Sequence, residues 1–327
     1  MSKTILVTGG AGYIGSHTTY ELLNEGYNVI VADNLSKGTK AAVDQRAHFY
    51  QIDVTDERDL SDLLENENVD ALLHCAGSIV VSESIENPSN YYSDNVSGMN
   101  AVLKTISDFN INKIIFSSTA SVYGNNCSNV KATEDTLVDP INPYAETKYA
   151  GERLLHWMAS RYGWKYIVFR YFNVAGAMPN KSNGLRVKHP THIIPNINKA
   201  ILRKLDCVKV FGTDYPTIDG TCIRDYIHVL DLAKAHVLGF NYLFNHGESN
   251  LFNLGTECGY SVLQIISRAS EVTGLDVPYK LVGRRQGDPA SVLANADKAK
   301  NILGWVPQYN LNDIILSDFE WRKTEKF

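Results

Sequence analysis

The chain has 327 residues, and 31 Lys+Arg against 36 Asp+Glu give it a formal net charge of −5. That balance excludes the broad basic field of a nucleic-acid binder, and 44% hydrophobic with 20% charged residues excludes a disordered chain. The length points to about two domains, and no apolar run approaches the roughly 18 residues of a membrane span.

The first half reads as alternating strands and helices. Residues 5–8 form an apolar run that stops at glycine, as a buried parallel strand does. Helical periodicity over 14–25 ends at Gly26. Strands are predicted over 29–32, 48–54, 71–74, 114–116 and 167–169, the second closing at Asp33. Helices are predicted over 57–64 with Thr55 as N-cap, over 89–109 as one long element, and over 144–161. This order implies right-handed crossovers and a Rossmann-type, doubly wound parallel sheet covered on both faces. After Asn173 the texture changes, with helices predicted only near 194–203 and 231–244. The expected fold class is therefore α/β. Residues 1–173 would form a dinucleotide-binding domain, with segments near 223–245 crossing back to it. Residues 174–327 would form mainly a smaller mixed α/β substrate domain.

No apolar segment follows a basic start, so no secretion signal is expected. Cys75, Cys127, Cys207, Cys222 and Cys258 are scattered without a C-x-x-C, which suits a reducing cytoplasm. No metal site is expected: His189 and His192 flank a proline without an organised third ligand, and Asp225, His228 and Asp231 sit at a strand-to-helix junction where capping fits better.

Gly9-Gly10-Ala11-Gly12-Tyr13-Ile14-Gly15 follows the first strand and opens the first helix. Side chains there would block close approach of the backbone to a pyrophosphate, which the free N–H groups of the helix N-terminus attract. A Walker loop is excluded, because Ser16-His17 stands where Lys and Ser/Thr are required. Asp33 suits a ribose diol and repels a 2′-phosphate, favouring NAD. Asp53-Val54 is placed to meet an adenine.

Tyr144 and Lys148 are spaced i, i+4 and share a helix face. A free tyrosine has a pKa of about 10, too high for a base at neutral pH. An ammonium about 5 Å away contributes about 3 kcal/mol at an effective dielectric of about 20, or about two pKa units downward. Tyr144 is thus expected as a general base activated by Lys148. Thr119, at the carboxyl edge of the preceding strand, could bridge Tyr144 and substrate.

With these motifs the chain resembles the extended short-chain dehydrogenase/reductase family, and within it the UDP-glucose 4-epimerase family. The run Phe211 to Pro216 and the run Asp219 to Val229, with Tyr171-Phe172-Asn173, carry the narrower likeness. The resemblance implies that Tyr144 takes the sugar 4-hydroxyl proton while C4 hydride passes to tightly bound NAD, and that hydride then returns to the other face. It implies Thr119, Tyr144 and Lys148 as catalytic residues. Gly9, Gly12, Tyr13, Ile14, Gly15, Asp33, Asn34, Leu35, Ser36, Lys37 and Gly38 would hold the cofactor, with Asp53, Val54, Cys75, Ala76, Gly77, Ile79, Asp94, Lys148 and Phe172. On the UDP-sugar, Arg224 and Arg285 would grip phosphates. Asn173, His192, Phe211, Asp288 and Val292, with Thr119 and Tyr144, complete that set. It implies a homodimer through the two long helices, whose Val102, Leu103, Ile106, Leu154, Leu155 and Met158 equally suit packing on the sheet.

Four positions depart from the family pattern. Ile79 replaces a lysine of some relatives, Asp94 an asparagine, and His192 an asparagine. Val292 falls where some relatives have a tyrosine beside the sugar C2, leaving room for N-acetylhexosamine nucleotides. Ala120-Ser121 lacks the acid pair of a 4,6-dehydratase. A UDP-glucuronate epimerase or decarboxylase, or a non-catalytic NAD-binding sensor, stays open.

Overall fold

The computed structural model describes residues 2–128, 130–245, 247–285, 288–324 and 326. In chain order the elements are β1 (Thr4–Thr8), α1 (Tyr13–Asn24), β2 (Asn28–Ala32), β3 (His48–Tyr50), α2 (Glu57–Asn66), β4 (Ala71–His74), α3 (Val81–Glu86), α4 (Pro88–Tyr91), α5 (Gly98–Ser107), β5 (Lys113–Thr119), β6 (Lys131–Ala132), α6 (Pro143–Tyr162), β7 (Lys165–Tyr171) and β8 (Asn173–Ala175). There follow α7 (Ile193–Ile201), β9 (Val208–Phe211), β10 (Ile223–His228), α8 (Val229–Asn245), β11 (Asn250–Leu254), β12 (Gly259–Ser261), α9 (Val262–Thr273), β13 (Tyr279–Val282), β14 (Ser291–Ala294), α10 (Asp297–Leu303) and α11 (Leu311–Lys323).

Seven strands form one parallel sheet in the order β11-β7-β5-β4-β1-β2-β3. Alternate residues of each strand go to opposite faces. Ile5, Val7, Val31, Leu73 and Phe169 join one core with Leu22 of α1 and Phe240 of α8. Leu6, Ile30, Leu72, Ile114 and Val168 join the other with Leu60 of α2, Leu103 of α5 and Leu155 of α6. Each such fully buried aliphatic side chain contributes about 1.5–3 kcal/mol.

A second sheet runs β12-β10-β14-β6, with β8 also paired to β10, and β9 pairs β13 in a two-stranded ribbon. A third core of Ile194, Ile197, Ile265, Ile314 and Phe319 lies among α7, α9 and α11. β7 and β8 belong to different sheets and are separated by Phe172 alone, whose N–H donates to the Leu254 carbonyl.

Several local expectations are corrected. The helix expected over 89–109 is interrupted by a π-helical segment, Tyr92–Ser97. The widened turn places Asn95 in the interior, where its side chain accepts from Ser78 N–H and donates to Ser78 O and Thr147 Oγ1. The third strand stops at Tyr50 instead of reaching residue 54, and Asp53 turns its carboxylate onto Thr55 N–H. The N-cap of α2 is Asp56, which accepts from Arg58 and Asp59 N–H, while the Thr55 hydroxyl donates to Asp53. Asp231 does not cap α8; its carboxylate holds Gln308 and Tyr309 N–H, and Asp225 holds Thr256, Glu257 and Ala294 N–H. Both carboxylates tie together segments distant in the chain. Among the described residues no helix is long and apolar enough to cross a membrane.

Candidate active site

The carboxyl ends of β1, β2, β4 and β5 open into one cavity of about 1420 Å³ that continues past β8 to β10 and β14. It is built from the glycine loop upward. Gly9 has φ +69°, and a Cβ there would meet Ala76 N at 2.6 Å, so this glycine serves close packing of β1 on β4. Gly12 is different: a Cβ would meet nothing closer than Gly9 O at 3.2 Å. The steric role of this loop is thus divided between internal packing and exposure of backbone to the cavity. Gly12 is the N-cap of α1, whose first turn carries neither a capping side chain nor an acid. Its orphan N–H groups therefore suit an anion such as a pyrophosphate.

Asp33 is nearly buried, and its carboxylate accepts from Ala11 N–H at 3.0 Å and Leu35 N–H at 2.8 Å. A carboxylate has about four acceptor sites, so the ribose role survives beside this structural one. Leu35 is the exception among the foreseen cofactor residues. Its backbone turns at φ 62° to make that bond, and its side chain is not among the cavity walls. Gly12, Tyr13, Ile14, Gly15, Asn34, Ser36, Lys37, Gly38, Asp53, Val54, Cys75, Ala76, Gly77, Ile79, Asp94 and Phe172 all line it. The set offers backbone donors, a diol acceptor and an apolar Val54 wall, and it fits a dinucleotide.

At the middle of the cavity stand Thr119, Tyr144 and Lys148. Asn142 caps α6 by accepting from Ala145 N–H, and Pro143 sets its first turn, which fixes the height of Tyr144. Lys148 Nζ donates to Ser117 O at 2.9 Å and lies 4.9 Å from the Phe116 ring. Burial lowers the Lys148 ammonium to about 8, against the Cys75 thiol and the Glu152 carboxylate, which raise it. Tyr144 goes the opposite way from the sequence expectation. Burial raises its pKa, and the hydrogen bond with Thr119 pulls it partly back. The reason is that desolvation of a fully enclosed phenol outweighs a lysine that is itself desolvated and bonded to a backbone carbonyl.

The far end gathers the remaining substrate candidates. Arg224 Nη2 approaches Asp288 Oδ1 at 3.6 Å, and its Nη1 donates to Ile223 O. The Arg285 guanidinium stacks over Phe211 at 4.4 Å. Asn173 donates to Asp225 O at 3.2 Å, and His192 lies exposed at the head of α7, with its pKa lowered by the protein around it and then by Arg322. Val292 is in register with Arg224 on the adjacent strand. Ser78 was missed: it lines the cavity and donates to Asp94. Tyr171 was missed as well: it is half-buried, lines the cavity and lies beside Tyr144 and Ser117. The motif Tyr171-Phe172-Asn173 contained the second signal; nothing in local spacing marked the first.

Fold and site together define a dinucleotide-binding enzyme with a second anion-gripping end. A family model described as the NAD dependent epimerase/dehydratase family matches residues 5–255. UDP-glucose 4-epimerase of Lactobacillus helveticus is 44% identical over 321 residues, 98% of this chain and 97% of that protein. The solved UDP-glucose 4-epimerase from Bifidobacterium longum in complex with NAD+ and UDP superposes with a TM-score of 0.93 at 37% identity, covering 99% of each chain. The UDP-Glc/GlcNAc 4-epimerase of Campylobacter jejuni does so with a TM-score of 0.86 at 39% identity, over 99% of this chain and 100% of that one. The chain belongs to the NAD dependent epimerase/dehydratase family, and within it to the UDP-glucose 4-epimerases.

Proposed function

We propose that this chain interconverts UDP-glucose and UDP-galactose by transient oxidation at C4 with tightly bound NAD. The observation that carries the reading is the single cavity, in which Thr119, Tyr144 and Lys148 stand between the glycine loop and the Arg224–Asp288 end. NAD supplies the acceptor and donor of the C4 hydride. Tyr144 takes the proton of the 4-hydroxyl and returns it. Thr119, whose side chain pulls the Tyr144 pKa down, shares the proton path. Lys148 holds the nicotinamide ribose and contributes positive charge beside the phenol. Arg224 and Arg285 bind the diphosphate, and Phe211, Asn173, His192 and Asp288 the rest of the nucleotide. The test is purified protein with UDP-galactose and no added cofactor, read by proton NMR. UDP-glucose forming without accumulated NADH supports the closed hydride cycle; no conversion even with NAD+ added overturns it.

Acceptance of N-acetylated UDP-hexosamines is a second reading, favoured by the small Val292 on the cavity wall and by the activity named for the Campylobacter neighbour. We also infer a homodimer and a cytoplasmic location. Val102, Leu103, Ile106 and Leu155 are engaged in the core of this chain, so the dimer reading rests on the exposed side of α6, where Trp157 is 62% accessible. The location rests on five free cysteines. A sedimentation run with Trp157→Glu tests the dimer: a shift toward monomer supports it.

A further inference from the structure

One buried charge pair of the interior has no part in the mechanism above. Glu152 lies one turn beyond Lys148 on α6, and it is 6% exposed, with Arg170 of β7 4% exposed opposite it. The pairing is bidentate: Arg170 Nε donates to Oε1 at 2.9 Å and Nη2 to Oε2 at 2.5 Å. Oε1 also accepts the Ser118 hydroxyl. The guanidinium packs 4.9 Å from the Tyr123 ring, and the Tyr123 hydroxyl donates to Asn253 at 2.7 Å. Burial works against the Arg170 charge, but the Glu152 carboxylate more than offsets it. A buried ion pair of this kind is weak evidence for stability, since well-packed apolar side chains would serve as well. Its position asks for another account.

The account lies in the register of α6 on β5. Tyr144, Lys148 and Glu152 recur at i, i+4, i+8 and so share one face of the helix. Tyr144 meets Thr119, Lys148 Nζ meets Ser117 O, and Glu152 meets the Ser118 hydroxyl. Three turns of one helix face thus all bear on the last three residues of β5, Ser117 to Thr119. On β7, Arg170 pairs with Ser118 and Tyr171 with Thr119, so the same pair also fixes the neighbouring strand.

Charge adds to register. The groups that face Lys148 are Tyr144 and Glu152 on its own helix, Ser117 O and the Phe116 ring on β5, and His74 and Cys75 at the end of β4. Burial and then Lys148 hold His74 neutral, down at about 3, and burial pushes the Cys75 thiol up to about 11. Two acidic groups favour the Lys148 ammonium, the Cys75 thiol and the Glu152 carboxylate; burial works against ionisation of the thiol, and the carboxylate is the one held in an ion pair with Arg170.

We propose that Glu152 is a positioning residue for the epimerase chemistry, keeping Lys148 charged by its carboxylate and holding Thr119 at the height of Tyr144 through Ser118. The inference rests on the assignment of Tyr144 and Lys148 made above, so Tyr144→Phe is run alongside. If that variant keeps full turnover, the assignment itself fails. If it is silent, the remaining variants judge Glu152 alone.

The test is kcat for UDP-galactose against pH in the full-length protein with its bound cofactor. Glu152→Gln alone would strand the Arg170 guanidinium, so the paired Glu152→Gln/Arg170→Gln variant, with a neutral interior, is the one read. Lys148 then gives up its proton at lower pH. The basic limb of the profile is expected to move down by about one pH unit, while KM stays within about twofold. Glu152→Asp restores a carboxylate and is expected to bring the limb back. Ser118→Ala leaves the charge in place and is expected to lower kcat about tenfold without moving the limb. A basic limb unmoved in the folded double variant, or a wild-type kcat in Ser118→Ala, overturns the proposal. Should the double variant not fold, Ser118→Ala decides alone.

Discussion

The Ser78 hydroxyl donates to the Asp94 carboxylate at 2.6 Å, tying the bend after β4 to the π-helical segment on the wall of the cofactor cavity. The anion at this position is thereby satisfied, yet it stays in a cavity whose occupant is itself a diphosphate. Asp94→Asn keeps an acceptor for Ser78, removes the negative charge and adds a donor. The expected result is NAD retention about fivefold stronger, on the order of 1 kcal/mol. Titration calorimetry on cofactor-stripped protein reads it, and weaker binding would show that the Ser78 bond needs the charge.

Tyr144→Phe removes the proposed proton acceptor and little else of the side chain. Burial already opposes ionisation of this phenol, and the Thr119 hydrogen bond pulls the other way. The expected loss in kcat is about 10³-fold, with KM for UDP-galactose little changed. Thr119→Ala is expected to cost about tenfold and to move the acid limb of the pH profile upward, because the hydrogen bond that lowers the Tyr144 pKa is gone. An acid limb that stays in place would remove Thr119 from the proton path.

Val292→Tyr fills the sugar end. The strand neighbour Arg224 is fixed by the Ile223 carbonyl and Asp288, so the new ring must extend into the cavity. UDP-galactose turnover is expected to stay within about fivefold, whereas any turnover of UDP-N-acetylgalactosamine falls by at least about a hundredfold. Equal loss for both sugars would show that the valine does not face C2.

Four buried histidines make the fold acid-sensitive. Burial lowers His17 and His236 to about 4 and His74 and His228 to about 3. Between those values and the unfolded value of about 6.5, the unfolded chain binds protons that the folded one refuses, so stability rises with pH. Each histidine contributes a slope of about 1.4 kcal/mol per pH unit in that window. Asp225, Asp231 and Asp318, raised chiefly by burial, act in the opposite sense below their own elevated values. The melting temperature of cofactor-stripped protein is therefore expected to hold above pH 6.5 and to fall steadily toward pH 5. A flat melting temperature across that window would show that these imidazoles are not kept neutral.

The parallel sheet, the glycine loop and the face shared by Tyr144 and Lys148 were legible because each rests on a local period or on one residue's steric exclusion. The second sheet was not. β8, β10, β14 and β6 are short and distant in sequence, and their pairing is braced by side-chain bonds across the chain, as when Asp225 of β10 holds Thr256 and Glu257 N–H of one loop and Ala294 N–H of β14. The π-helical turn escaped because an extra residue in a helix leaves the apolar pattern nearly unchanged; Asn95 justifies it only through partners at Ser78 and Thr147. The direction of the Tyr144 shift escaped for a similar reason. Spacing gives the distance to Lys148, but burial sets the energy scale and is a property of the assembled site.

Phe172 is the whole of the connection between β7 in one sheet and β8 in the other, and it is pinned at its own N–H. With one residue between two hydrogen-bonded ladders, this connection leaves no length of chain in which a hinge could be placed. The floor under the reacting carbon and the wall that grips the diphosphate are then one continuous beam. For hydride to leave one face of the sugar and return to the other, the turn has to be made by the hexose, tethered by its nucleotide, because this connection gives the two sheets no slack.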